Sequence, residues 1–144
     1  MMTPEQQAKL RRSLVMHENY EKFPYIDPMG KVTIGIGYNL SDRGMPDEWI
    51  IKQYNEDVNY HYTNLYESYP WFRDLNNDRQ VALVDMCFNL GYRNFQSFKK
   101  MAAALERHDY HQASFEMLNS KWAHQVNSRA TRLAHVMLTG VYNI

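Results

Sequence analysis

Residues 17–38 read His17-Glu18-Asn19-Tyr20-Glu21-Lys22-Phe23-Pro24-Tyr25-Ile26-Asp27-Pro28-Met29-Gly30-Lys31-Val32-Thr33-Ile34-Gly35-Ile36-Gly37-Tyr38. The hydrophobic period changes inside this stretch. Before it, Leu10 and Leu14 share one helical face, and Thr3-Pro4-Glu5-Gln6 is a helix start: Thr3 caps, Pro4 fits the first helical position, and Gln6 completes a capping box. A helix therefore runs from Pro4 toward Tyr20. Within the stretch, Asp27-Pro28-Met29-Gly30 is strong turn chemistry. Tyr25-Ile26 before it and Val32 to Ile36 after it are short and β-rich, which predicts an antiparallel hairpin or a small three-stranded sheet.

The helical period resumes after Gly44. Ile50, Tyr54, Val58, Tyr62 and Leu65 recur every three or four residues, so one amphipathic helix spans Pro46 to about Glu67. Asn77 to Gln80 resembles another N-cap, and behind it Val81 to Leu90 is apolar on nearly every face, the pattern of a buried central helix ended by Gly91. Shorter helices are predicted near residues 95–107, 109–119 and 128–139, the last closed by Gly140. The class is α+β, mostly helical.

The chain has 144 residues, 44% hydrophobic, 22% charged and 14% aromatic. At roughly 100–200 residues per domain this is one domain with a real core. Sixteen basic residues balance sixteen acidic ones, so charge makes no case for a nucleic-acid partner. The C-terminal third is slightly basic and the middle slightly acidic. No run reaches the roughly 18–20 apolar residues of a membrane span, and the polar start, Met1 to Arg12, predicts no secretory signal. The single Cys87 excludes an internal disulfide and a cysteine-rich zinc site, and its apolar helix marks it as a small buried side chain.

Three residues bear on chemistry. Glu18 continues the Leu10–Leu14 face, which predicts a carboxyl partly screened from water, and it lies at a helix C-terminus, where the dipole is negative. Both conditions disfavour ionisation, as a general acid requires. Asp27 follows nine residues later at the turn, and Thr33 six beyond that in the next strand. Taken singly they are a helix-end glutamate, a turn aspartate and a strand threonine. A hairpin folding back over the helix end would bring them together, and two carboxyls in unlike surroundings are the equipment of a glycoside hydrolase.

Other signals fail. His17-Glu18 begins like a zinc-protease helix, but Glu21 stands where the second histidine is needed. Gly35-Ile36-Gly37 lacks the third glycine of a dinucleotide loop. His108 and His111 are two ligands without a third, so no metal and no cofactor are expected.

The stretch His17 to Asp27 followed by Lys31 to Tyr38 resembles the signature of the phage lysozymes, the bacteriophage endolysin muramidases with a Glu–Asp–Thr catalytic set, with both intervals in register. Arg79 to Gly91 is similar to the family's central helix. Ser120-Lys121-Trp122-Ala123-His124-Gln125-Val126-Asn127-Ser128-Arg129-Ala130-Thr131-Arg132, with Thr139-Gly140 beyond, resembles its C-terminal segment. The resemblance implies one lysozyme-like catalytic domain over 1–144. It has an N-terminal lobe of about 15–60, a long connecting helix, and a C-terminal helical lobe of about 70–144 that includes the first helix.

The resemblance also implies roles. Glu18 is the general acid, Asp27 supports the attacking water or the oxocarbenium-like transition state, and Thr33 positions water, with inversion at the sugar carbon. Gly37, Tyr38, Phe88 and Asn89 match positions along the saccharide cleft, and Arg129 the arginine paired with the catalytic glutamate. The implied partner is a peptidoglycan glycan strand, cut between N-acetylmuramic acid and N-acetylglucosamine by a monomeric enzyme. A separate holin would export it from the host cytoplasm, or it would be a virion component. A non-catalytic wall-binding module and a lytic transglycosylase are the alternatives. Two departures stand out: Tyr38 replaces the family's frequent histidine, removing a buried ion pair that anchors its strand, and the chain is neutral where many members are basic.

Overall fold

The protein, a computed structural model, is described over residues 1–143. Its contacts divide it into two compact units, Met1–Ile51 and Lys52 onward. The first unit holds the first helix together with the sheet, with only Asn19 and Tyr20 between helix and first strand.

In the first unit, α1 (Pro4–Glu18) starts as its sequence dictates. The Gln6 amide donates to Thr3 Oγ1 and the Thr3 amide donates to Gln6 Oε1, closing the capping box. The helix stops at Glu18, because Asn19 turns to φ 67°. It buries none of its residues; Leu10 and Leu14 are 43% and 41% exposed. Glu18 is exposed too, which corrects the expected partial screening: the face it continues is itself open to water.

Strands β1 (Glu21–Ile26), β2 (Val32–Gly35) and β3 (Tyr38–Asn39) form an antiparallel sheet in that order. Tyr25 pairs with Thr33 and Ile26 with Val32, while Thr33 pairs with Asn39 and Ile34 with Tyr38. Thr33, at the centre of the sheet, is the one buried residue of this unit. A four-residue helix, α2 (Leu40–Arg43), was not expected. Asn39 caps it by accepting from the Asp42 amide, and Lys31 Nζ lies 2.9 Å from Asp42 Oδ1.

The long helix α3 (Asp47–Ser68) has the predicted extent and runs into the second unit. There α4 (Asn77–Leu90) is capped by Asn76, one residue before the expected cap, and ends at Gly91 with φ 81°. The remaining helices are α5 (Tyr92–Phe95), α6 (Lys99–Glu106), α7 (Tyr110–Leu118), α8 (Lys121–Val126) and α9 (Ser128–Thr139). Gly140 closes α9 in the left-handed region, as expected.

The core of this unit gathers Leu65, Phe72, Leu83, Met86, Phe95, Met101, Leu105, Met117, Leu133 and Met137, with α7 against α9 and α4 against α9. Central helix α4 is not buried all round. Ala82, Leu83, Met86 and Cys87 face the core, while Val81 and Phe88 are 52% and 42% exposed. A helix has about 3.6 residues per turn, so one core covers one stripe and leaves Val81 and Phe88 on the opposite side open, with Val84 partly buried at its edge.

Candidate active site

Glu18 is delivered by the last residue of α1, and Gly37 lies in the turn between β2 and β3. The two touch: a Cβ placed on Gly37 would stand 2.6 Å from Glu18 Oε2, 3.0 Å from Cδ and 3.1 Å from Cγ. Gly37 packs its bare backbone on the carboxylate arm.

Asp27 occupies the other turn of β2. Its Oδ1 accepts from the Met29 amide at 2.9 Å and the Lys31 amide at 2.8 Å, and its backbone carbonyl accepts from Gly30 at 3.0 Å. These bonds are the Asx-turn chemistry that the Asp-Pro-Met-Gly sequence carries. They use one carboxylate oxygen; the half-buried side chain has Oδ2 left for other work. Thr33 lies between the turns on β2, and its hydroxyl donates to the Lys31 carbonyl at 3.1 Å, keeping its lone pairs as acceptors.

Tyr38 supplies its own anchor where the family's histidine is missing. Its hydroxyl donates to the Gly44 carbonyl at 2.6 Å, the Arg43 guanidinium carbon stands 4.4 Å from its ring centroid, and Trp49 packs against it at 5.1 Å. Hydroxyl, ring and cation together tie β3 to the segment that follows α2. Nearby, the Lys31–Asp42 pair shifts both partners: the hydrogen bond to Asp42 raises the Lys31 pKa, and the same bond lowers that of Asp42.

The remaining candidates belong to the second unit. Phe88 and Arg129 line one mostly apolar groove of about 550 Å³ with Tyr54, Val58, Tyr62 and Val84. Arg129 is held by Asp85: Nε donates to Oδ1 at 2.8 Å and a terminal nitrogen reaches the same oxygen at 2.6 Å. Glu18, the partner implied by the resemblance, lies in the first unit; Asp85 is the carboxylate that engages Arg129 within the second. The sequence reading missed Asp85, whose signal is a lone charge in the apolar run 81–90. Asn89 is outside that groove. Its Oδ1 accepts from Trp122 Nε1 at 2.7 Å, which makes it a strut for α8 and leaves its amide N–H groups free of that bond.

Among the described residues no group of histidines, cysteines and carboxylates is placed to hold a metal, and no helix is long and apolar enough to cross a membrane. Cys87 is buried, and burial pushes its thiol pKa up to about 12, as expected for packing rather than nucleophilic duty.

A capped helix feeding a three-stranded antiparallel sheet, then a long helix entering a helical body, is a lysozyme-like α+β fold. The phage lysozyme family model matches residues 15–135, and the chain belongs to that family. Two relatives from Dictyostelium discoideum, probable T4-type lysozymes 1 and 2, are 35% and 33% identical over 72 and 69 residues, covering 50% and 48% of this chain and 42% and 41% of theirs. The pre-baseplate central spike protein Gp5 of Enterobacteria phage T4 is 32% identical over 71 residues, covering 49% of this chain and 12% of that one. The matched segments thus span less than half of each of these relatives.

Proposed function

We propose that the protein is a peptidoglycan hydrolase, a muramidase that cleaves the β-1,4 bond between N-acetylmuramic acid and N-acetylglucosamine with inversion. The observation that carries this reading is the placement of two carboxylates at the two turns of one strand, Glu18 against Gly37 and Asp27 at Lys31, with Thr33 between them. Inversion is what the family resemblance implies, and it calls for carboxyls ~6.5–9.5 Å apart, wide enough to admit a water molecule.

In this mechanism Glu18 gives its proton to the glycosidic oxygen as the bond to the sugar carbon breaks. Water adds to that carbon from the opposite face. Asp27, its Oδ1 bound to backbone amides, turns Oδ2 to the water and takes its proton, and the Thr33 hydroxyl oxygen orients that water. Phe88 offers a half-open ring to a sugar face, and the family resemblance implies saccharide contacts for Asn89 and Tyr38 as well. Arg129, already held by Asp85, adds positive charge for a substrate carboxylate. The family match supports lysozyme activity, and the spike-protein relative supports a virion-associated role beside that of an endolysin released through a holin.

Purified peptidoglycan digested by the wild type and by Glu18→Gln tests this. The wild type is expected to release reducing ends with the α-anomer first, and Glu18→Gln to lose about a hundredfold or more. A β-anomer first overturns inversion, a 1,6-anhydro product means transglycosylation, and no product from the wild type means a binding module.

A further inference from the structure

We infer that Gly37 is a positioning residue for Glu18, and that the missing side chain at position 37 sets where the carboxylate sits; the inference rests on the reading of Glu18 as the general acid. Glu18 is exposed at a helix end, and none of the ion pairs among the described residues includes it. An exposed glutamate without a charged partner samples several rotamers. Here its Cγ, Cδ and Oε2 all lie along the bare Cα of Gly37, where a Cβ would stand 3.1, 3.0 and 2.6 Å away. The backbone of the β2–β3 turn is the wall against which the acid rests.

The sequence contains its own control. Gly35 and Gly37 both have φ 67°, so a side chain at either strains the backbone. Around Gly35 a Cβ would meet nothing within 4 Å. A kcat loss in the Gly37 variant beyond what its stability explains therefore reports the carboxylate contact. The clashing atoms at Gly37 are the far end of a flexible side chain, so the fold relieves the overlap by swinging the carboxylate away. The loss then falls on the reaction and not on folding.

The experiment measures kcat, KM and melting temperature for Gly35→Ala and Gly37→Ala on purified peptidoglycan. Both variants are expected to lose similar stability. Gly37→Ala is expected to lose about a hundredfold in kcat with KM within a few-fold of the wild type, because about 1 Å of displacement costs that much in orientation. Gly35→Ala is expected to keep kcat within a few-fold. Glu18→Asp, with an arm one methylene shorter, is expected to cost less in the Gly37→Ala background than in the wild type. Where the alanine variant does not fold, Gly37→Asn repeats the test, since asparagine tolerates positive φ better.

Equal kcat for the two glycine variants overturns the inference. So does a rise in KM with kcat intact, which would place Gly37 against substrate. An active Glu18→Gln enzyme removes the general-acid reading itself, a result distinct from either.

Discussion

Arg129 directs two of its donors at a single oxygen of Asp85: Nε at 2.8 Å and a terminal nitrogen at 2.6 Å both meet Oδ1. The pair joins α9 to the outward face of α4, next to Phe88. Its side chains are 40% and 31% exposed, so water screens the attraction. A double-mutant cycle with Asp85→Ala and Arg129→Met is therefore expected to give a coupling of about 1 kcal/mol or less. A coupling of several kcal/mol would mean that the pair behaves as a buried one. Should Arg129 serve the reaction, Arg129→Met will lower activity by more than this small loss of stability explains.

Asp27 does two jobs that one substitution separates. In Asp27→Asn the side-chain oxygen still accepts from the Met29 and Lys31 amides, so the turn survives. Activity is expected to fall strongly while stability changes by less than about 1 kcal/mol. Asp27→Ala loses both bonds and is expected to cost a further ~1–2 kcal/mol in chemical denaturation. Full lysis by the Asp27→Asn variant across neutral and mildly acidic pH would remove the carboxylate from the mechanism.

His61 makes the second unit sensitive to acid. It packs against Phe88 at 5.7 Å and sits 3.4 Å from Cys87 Sγ through Nδ1. Burial lowers its pKa below the ordinary 6.5, and the charge of Asp57 offsets only part of this. The unfolded chain therefore binds a proton at this site more readily than the folded one. Stability from this site is full above about pH 6.5 and declines as pH falls from there through the lower folded value. Urea unfolding of the wild type and His61→Gln from pH 7.5 to 4.5 should show the wild type losing more on acidification. Parallel curves would mean that His61 takes its proton equally in both states.

Arg79 should matter to the second unit more than any surface ion pair. Nε donates to the Met137 carbonyl at 2.8 Å and a terminal nitrogen to Leu138 at 3.1 Å, while the guanidinium lies 3.5 Å from the Tyr110 ring centroid. It satisfies carbonyls at the end of α9 that have no partner within the helix. Arg79→Met is expected to cost about 2–3 kcal/mol, read as a lower denaturation midpoint. A loss below about 0.5 kcal/mol would show that water replaces the clamp without penalty.

Local rules made much of the fold legible. The capping box at Thr3–Gln6, the Asp27–Gly30 turn, the 3–4 period of α3 and the Gly91 and Gly140 stops all follow from interactions within a few residues, and each stands where the sequence places it. The spacing of Glu18, Asp27 and Thr33 likewise singled out one helix end and one hairpin.

Other features depend on partners far along the chain, which periodicity does not carry. The open stripe of α4 follows from which side α9 covers, and the exposure of Glu18 from a helix that buries no residue. Asp85 found Arg129 across 44 residues, and Asn89 found Trp122 across 33. The contact of Gly37 with Glu18 arises because the turn after β2 returns to the end of α1. Sequence determined the elements and the residues able to do chemistry, since propensity, capping and turn geometry are short-ranged. Tertiary structure decided their partners and their exposure to water, because side-chain contacts are set by how the elements pack.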